Sequence, residues 1–476
     1  MSRFAFLLNA GTVADKKSIF GKDVANSGLI RALGQTASRE DPLLLAVTEK
    51  TRVEAIAERF QIPVDQVRLI AANHIAEAGI DCLLHGLPNI HHSAWQRSPA
   101  QARTYSLCGL IHTLAPPATQ DTIARVLTAP LHPWDALICT SSALARSVSK
   151  LLDEWNAYYR ERFGATRRPS IAIAVLPLGI HCDDFTHDPA VRVTERQRLG
   201  IGEDDIAVLS MGRLSFFEKM HPYATFAAME LAAAKSKHTL HLLLTGWFPH
   251  PDQEREYRAL AAATCPSVVL HILDGTDAGQ ARRIWSAADI FTSLVDNVQE
   301  TFGLAPVEAM AAGLPSVVSD WDGYRDTIVQ GETGLRIATL IPPAGSGQEP
   351  LDRHLAQVSS YQSYAGTIAM ATAVDIRGAG DALALLANDA DRRRQMGAAA
   401  QARARAVFDW PQVALAYRQM MRDLAQRRNR SEVVIPTRNP MAQDPFTLFS
   451  HYASLTLQDD DRLVALPGAA ALLAQA

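Results

Sequence analysis

Short apolar runs alternate with helical stretches along most of this chain, and that alternation limits its fold more than any other feature of its 476 residues. An apolar run bounded by turn residues reads as a β-strand, and strands separated by helices join in parallel through right-handed crossovers. In the first half such strands read at Phe4–Leu8, Leu43–Val47, Ser106–Ile111, Ala136–Cys139 and Ile171–Leu176, with two more near Leu69 and Leu83. Helices read at Val24–Leu33, Arg52–Phe60, Thr122–Leu127 and Ala143–Phe163. The second half repeats the pattern, with strands at Ala207–Met211, Leu240–Thr245, Val268–Ile272, Ile290–Leu294, Ser316–Ser319 and Gly334–Ile337. The expected class is α/β, built as doubly wound parallel sheets that bind ligands on the loops after their strands.

A single hydrophobic core stops growing at roughly 250–300 residues, so a chain of this length should divide. The polar stretch HCDDFTHDPAVRVTERQRLGIGEDD places the boundary near residue 190, giving domains 1–190 and 191–408. Residues 342–380 begin with PPAGSGQE and read as an insertion, with helix resuming at Asp381. Residues 409–430, with a helix at Val413–Leu424, should cross back onto the first domain. Residues 431–476 read as a helical extension in which Asp444-Pro445 caps a helix whose Phe446, Phe449 and Tyr452 face the protein.

The formal charge of −4, from 46 basic and 50 acidic residues, excludes bulk attraction to nucleic acid. Cys82, Cys108, Cys139, Cys182 and Cys265 form no C-x-x-C pair, which fits a reducing cytoplasm. The opening MSRFAFLLNAGTVADKK reads as a first strand rather than a secretory leader, and no apolar run is long enough to span a bilayer. From Asp391 to Arg430, however, ten arginines stand against three acids. The first reading is a solvated helix face. A second is peripheral contact with the anionic inner face of a membrane.

The densest signal is DIFTSLVDNVQETFGLAPVEAMAAGLPSVVSD, residues 289–320. A strand runs into a polar loop and then a helix with Pro306 near its start and Gly313 and Pro315 at its end. The N–H groups of Gly303, Leu304 and Ala305 are free to face an anion at that helix start, where the macrodipole favours negative charge. Glu308, read as lying in the first turn, and Glu300, just before the helix, crowd the same end. Taken alone, the two acids also suit a plain complement to the helix dipole and a solvated loop.

The run E-T-F-G-L-A-P-V-E-A-M-A-A-G-L-P resembles the signature of retaining glycosyltransferases of family 4, which have the GT-B fold of two Rossmann-like domains facing across a cleft. The resemblance extends to Gly212-Arg213-Leu214 with Lys219, to Pro177-Leu178-Gly179-Ile180 with Phe185, to Asp135-Ala136-Leu137 and to Phe408-Asp409-Trp410. It implies an N-terminal acceptor domain and a C-terminal nucleotide-sugar domain. By the resemblance Glu308 binds the ribose hydroxyls of a UDP-, GDP- or ADP-sugar, and Glu300 faces the donor sugar near its anomeric carbon.

Arg213 and Lys219, after the Ala207–Met211 strand, are the candidate cations for the leaving diphosphate. Their spacing, R-L-S-F-F-E-K, is one residue longer than is common in the family. His112 ends the Ser106–Ile111 strand, where the family has a histidine pointing across the cleft toward the donor sugar. Gly11, Gly21 and Gly28, in and after the long first loop, would let main chain approach a donor phosphate or an acceptor. Asp320-Trp321-Asp322 and Asp389-Ala390-Asp391 match Asp-x-Asp, but the first reads as a turn and the second as a helix flank, so no catalytic metal and no cofactor besides the donor are expected. The expected activity is transfer of a sugar from a nucleotide-diphosphate sugar to a glycan, lipid or small-molecule acceptor. A GT-B phosphorylase or nucleotide-sugar synthase without a glycan acceptor, or an inactive sugar-binding protein, stays open beside it.

Overall fold

The computed structural model describes residues 3–8, 21–49, 51–98, 101–432, 439–440 and 442–469. Gly11 and most of the first long loop lie outside them. Residues 1–435 form one compact unit and 436–476 another.

The first unit holds two parallel sheets. Strands β1 (Phe4–Leu8), β2 (Leu43–Val47), β3 (Val67–Ala71), β4 (Cys82–His85), β5 (Ser106–Ile111), β6 (Ala136–Cys139) and β7 (Ala172–Val175) are ordered 3-2-1-4-5-6-7. Strands β8 (Ile206–Met211), β9 (Leu240–Gly246), β10 (Val269–Asp274), β11 (Ile290–Ser293), β12 (Ser316–Ser319) and β13 (Gly334–Ile337) are ordered 10-9-8-11-12-13. This is the doubly wound pattern twice over, with the order reversing between β1 and β4 and between β8 and β11, where such sheets open a ligand crevice. Central strands such as Ala136–Cys139 and Ser316–Ser319 are buried along their whole length, which is why they read as continuous apolar runs. Buried ions also brace the first sheet: Asp135 takes both nitrogens of the Arg97 fork, at 3.0 and 2.7 Å, and the N–H of Leu107 at 2.7 Å, so β5 and β6 share one anchor.

The chain then returns to the first sheet. Main-chain bonds of 2.9 Å join Ile180 N–H to Phe408 C=O and Trp410 N–H to Ile180 C=O. The buried Trp410 ring fills a slot floored by two glycines: a Cβ on Gly28 would stand 2.6 Å from the ring, and one on Gly179 2.5 Å. From there the helix Trp410–Arg430 packs on the helix Gly21–Gln35 and ends with Arg428 bonded to Asp81 C=O at 2.7 Å and Ser106 Oγ at 2.9 Å. It is longer at both ends than the Val413–Leu424 reading.

Two expectations need correction. Helix resumes well before Asp381: short strands β14 (Thr339–Leu340) and β15 (Ala373–Val374) pair antiparallel and frame a helical hairpin, Gln348–Leu355 and Tyr361–Met370, before the helix Ile376–Asn388. The polar composition of Gln348–Leu355, with no buried residue, hid it. Within residues 436–476 the described helical segments are short: Pro445–Leu448, capped by Asp444 accepting from Thr447 N–H at 2.8 Å, a 3-10 turn at Ser450–Tyr452, and a helical residue at Ala469. Within this unit the Phe449 and Tyr452 rings lie 5.1 Å apart, both beyond the end of that first helix. A helix this short forms too few bonds to offset its nucleation by itself.

Truncating Trp410 to Ala should leave a cavity between the two glycines and cost about 3–5 kcal/mol. Urea unfolding checks this: the midpoint should fall while the slope stays that of the parent.

Candidate functional site

At the β8/β11 reversal two loops meet. The loop after β11 ends at Gly303, whose φ of 89° is left-handed and whose added Cβ would lie 2.1 Å from the Tyr324 ring. Both facts demand glycine there. Tyr324 is itself buried, with its hydroxyl 2.8 Å from Ser293 Oγ, so the ring that shapes the turn is fixed. Gly303 is the N-cap of the helix Leu304–Ala311 and no side chain caps it, which leaves the first N–H groups to a ligand or water. Pro306 is the third helical residue, so Glu308 falls in the second turn, not the first as expected.

The charges around this helix start are already matched in pairs. Lys219, from the loop after β8, forms an ion pair with Glu300. Burial alone would push the Glu300 carboxyl up, but Lys219 and the N–H groups of Phe302 and Thr301 hold it below the usual carboxylate range. Burial opposes the Lys219 charge in turn, and Glu300 outweighs it, holding the ammonium well above its ordinary value. Arg213 pairs with Glu218 at 2.7 Å and lies over the Trp247 ring at 6.0 Å. Glu308, by contrast, is short of partners: burial pushes its carboxyl up to about 7, with Lys219 pulling it back down.

The loops brace each other. Asn297 Nδ2 donates to Phe217 C=O at 2.7 Å, Gln299 Nε2 to Glu218 C=O at 3.3 Å, and His221 N–H to Asp296 at 3.2 Å. Asp296 is buried, and burial pushes its carboxyl up to about 7. The inserted hairpin joins this framework, because Gly366 packs so tightly on Phe217 that a Cβ there would sit 2.6 Å from the ring. The longer R-L-S-F-F-E-K loop thus carries a Phe that the insertion supports.

The first sheet brings its own strand ends to the same place. His112, just after β5, accepts on its carbonyl from Thr301 Oγ at 2.6 Å, and its Nε2 lies 3.1 Å from Asn26 Oδ1. Burial pushes the imidazole down to about 4, so it is neutral at ordinary pH. Thr140 Oγ donates to Thr301 C=O at 3.3 Å, Ser141 Oγ to Asp322 at 2.9 Å, and Ser142 N–H to Asp326 at 2.5 Å. The carboxyl ends of β5 and β6 therefore meet the loops after β11 and β12.

The structure thus gathers Glu300, Glu308, Lys219, Gly303, Leu304 and Ala305 around one helix start, with Arg213 on the same loop as Lys219 and His112 joined to the neighbouring Thr301. Gly21 is different: it opens the helix Gly21–Gln35 at an exposed position with nothing within 4 Å of an added Cβ, so no close approach explains it. Asp320 is held by Arg325 at 3.3 Å and Arg336 at 3.5 Å, while Asp322 is held by Ser141 with a φ of 35°. Among the described residues no three His, Cys, Asp or Glu side chains are grouped to hold a metal ion.

Asn26, Thr301, Glu218 and Tyr324 escaped the sequence reading. Thr301, between Glu300 and Phe302, and Glu218, in R-L-S-F-F-E-K, stood inside runs that were singled out.

Of the basic 391–430 segment, Arg403 bonds Thr327 and Asp326 carbonyls, Arg405 pairs with Asp183, Arg418 with Thr36, and Arg428 is buried against Asp81. Much of its charge thus serves internal bonds. No helix among the described residues is long and apolar enough to cross a membrane.

Residues 191–340 match the family model described as Glycosyl transferases group 1. A D-inositol 3-phosphate glycosyltransferase of Geodermatophilus obscurus is 27% identical over 195 residues, 40% of each chain. Another of that name, from Xylanimonas cellulosilytica, is 26% identical over 340 residues, 67% of each. The chain spans less than half the length of the first three curated relatives it matches. Among solved structures, Anabaena Alr3699/HepE in complex with UDP aligns over 88% of this chain and all of its own, with 15% identity and a TM-score of 0.58. The two-sheet architecture is the GT-B fold, and the resemblance read from residues 289–320 holds.

The carboxyl of Glu308 has an ordinary value of 4.5 and is raised to about 7 in the folded chain. Below the lower value both folded and unfolded forms are protonated; across the window only the unfolded form ionises, so stability falls as pH rises and the loss is complete above the upper value. Glu308→Gln should therefore melt higher than the parent in ligand-free protein at pH ~8 and equally at pH ~4. Thermal unfolding at both pH values checks the crossing.

Proposed function

We propose that this chain is a retaining glycosyltransferase that moves a sugar from a nucleotide-diphosphate sugar to a hydroxyl of a glycan, lipid or small-molecule acceptor. The observation that carries the proposal is the Lys219–Glu300 ion pair beside an uncapped helix start at the point where the second sheet reverses its strand order. The group 1 family match over residues 191–340 supports it, because the match contains both members of the pair.

In this reading the first sheet, residues 1–190, carries the acceptor, and the second, residues 191–408, carries the donor. The diphosphate lies against the N–H groups of Gly303, Leu304 and Ala305, with Lys219 and Arg213 on its oxygens. Glu308, a half-buried carboxyl whose charge its surroundings disfavour, takes the ribose hydroxyls. The bond from the anomeric carbon to the diphosphate breaks, a bond to the acceptor oxygen forms, and the acceptor proton passes to the departing phosphate. Cations aimed at that phosphate stabilise charge that grows during the reaction, and Glu300 faces the positive charge that grows at the anomeric carbon.

Lys219 then has two partners in turn: Glu300 in the free protein, and the diphosphate as donor binds. We read the transfer as metal-independent, since the acids of Asp320-Trp321-Asp322 are engaged with Arg325, Arg336 and Ser141. The chain is read as cytoplasmic, with any membrane contact through exposed arginines of the 391–430 segment.

A thermal-shift series with UDP-, GDP- and ADP-sugars, with and without EDTA, tests the proposal: one base should stabilise the protein, by about 2.7 kcal/mol at a hundredfold excess over Kd, and chelation should not matter. No response to any base would overturn it. Glu300→Gln should keep or tighten free nucleoside-diphosphate binding, because Lys219 is released, while turnover drops on the order of a hundredfold. Glu308→Gln should instead weaken nucleotide binding by roughly 1–3 kcal/mol. Isothermal titration beside steady-state rates separates the two.

A further inference from the structure

His112 does not stand alone at its strand end. Asn26, on the helix Gly21–Gln35 and 7% exposed, sits between it and Gly86, the residue after β4. The Asn26 Nδ2 group donates to the Gly86 carbonyl at 3.2 Å. A main-chain carbonyl only accepts, so the amide cannot be reversed without setting oxygen against oxygen; its NH₂ must face Gly86 and its Oδ1 must face His112. Oδ1 in turn only accepts, and the ring atom 3.1 Å away is Nε2. Nε2 therefore carries a proton. A neutral imidazole has one N–H, so Nδ1 is left with a bare lone pair.

The arrangement leaves little freedom. A Cβ on Gly86 would stand 2.7 Å from the Asn26 amide nitrogen, so a larger residue would displace the clamp. Burial keeps the ring neutral even though the Gly86 main chain, as a second hydrogen-bond acceptor beside Asn26 Oδ1, favours a ring N–H, and the charged groups acting on the ring are Lys22 and Asp23, of opposite sign and from the same helix as Asn26. The His112 carbonyl is held separately, by Thr301 from the other sheet, so main chain and ring are fixed from two sides.

We propose that Asn26 is a positioning residue that locks His112 in the Nε2–H tautomer, so that Nδ1 meets the ligand as a hydrogen-bond acceptor and selects a neutral, hydroxyl-bearing sugar over one with a carboxylate. The first part concerns the free protein; the second rests on the reading of this cleft as a sugar-nucleotide site. A hydroxyl can donate to Nδ1, whereas a carboxylate would set two lone pairs against each other. His112 is then neither a general acid nor a cation in the resting site.

The test is nitrogen-15 NMR of histidine-labelled protein without ligand at neutral pH, with the His112 signals assigned by their loss in His112→Gln. One tautomer, protonated at Nε2, is expected in the parent, and a mixture in Asn26→Ala. Asn26→Asp should raise the His112 pKa, because a carboxylate favours the imidazolium, so the protonated ring should appear at a pH where the parent ring is neutral. Protonation at Nδ1 in the parent overturns the lock even if Asn26→Ala does not fold, and so does an unchanged tautomer in a folded Asn26→Ala. These results stand whether or not the protein transfers sugar. On whichever base binds, a hexose donor should outcompete the corresponding uronate, and Asn26→Ala should lower kcat on the order of tenfold while leaving free-nucleotide affinity unchanged. Preference for the uronate overturns the selectivity and leaves the lock intact.

Discussion

A buried charge must find a partner, and in this protein that requirement organises the site before any ligand arrives. Lys219 and Glu300 come from loops after different strands, and each is tolerated in its half-buried position because of the other. Removing water from either alone would cost far more than their mutual attraction returns in solvent. The side-chain-to-backbone bonds from Asn297 and Gln299 to the neighbouring loop hold the two loops at the distance the pair needs. Glu308 lacks such a partner, and the difference between the two acids is a difference of surroundings rather than of chemistry. A ligand that supplies hydroxyl donors and a diphosphate completes what the free protein leaves uneven.

The two sheets meet through hydrogen bonds rather than through an apolar seam at this edge. Thr301 both donates to His112 and accepts from Thr140, and Asp326 takes the Ser142 N–H at the start of the long helix Ser142–Phe163. Polar bonds of this kind exchange with water at small net cost. Asp322, whose carboxyl burial raises to about 6, is one of them, so the contact it makes with Ser141 answers to mild acid.

How much could be read from the sequence depended on how local the physics is. Strands buried on both faces had to be continuous apolar runs, and those in both sheets were legible to within two residues. The diphosphate turn was legible because glycine, proline and acid stand next to each other at Gly303, Pro306 and Glu308. The register inside it was not: Glu308 reads as a first-turn residue, but the helix starts at Leu304, just after the left-handed Gly303, which makes Glu308 its fifth residue. The 446, 449, 452 aromatic spacing suggested a helical stripe, but the helix there ends at Leu448, before two of the three rings. Asn26 was invisible for a different reason. Its meaning comes from contacts 60 and 86 residues away, and an asparagine on a helix face carries no local mark of such partners.

The slot that holds Trp410 has a consequence for how the protein is made. Gly28 and Gly179 leave the ribosome long before Trp410 does, so for most of synthesis the first sheet exists without the ring that closes it and without Arg428 to cover Asp81 and Ser106. An N-terminal half that has emerged alone therefore exposes an apolar gap to chaperones, and it becomes finished only when the last crossing helix arrives. The two halves look like separate modules in space, but in time they are one, since the first to be translated is the last to be sealed.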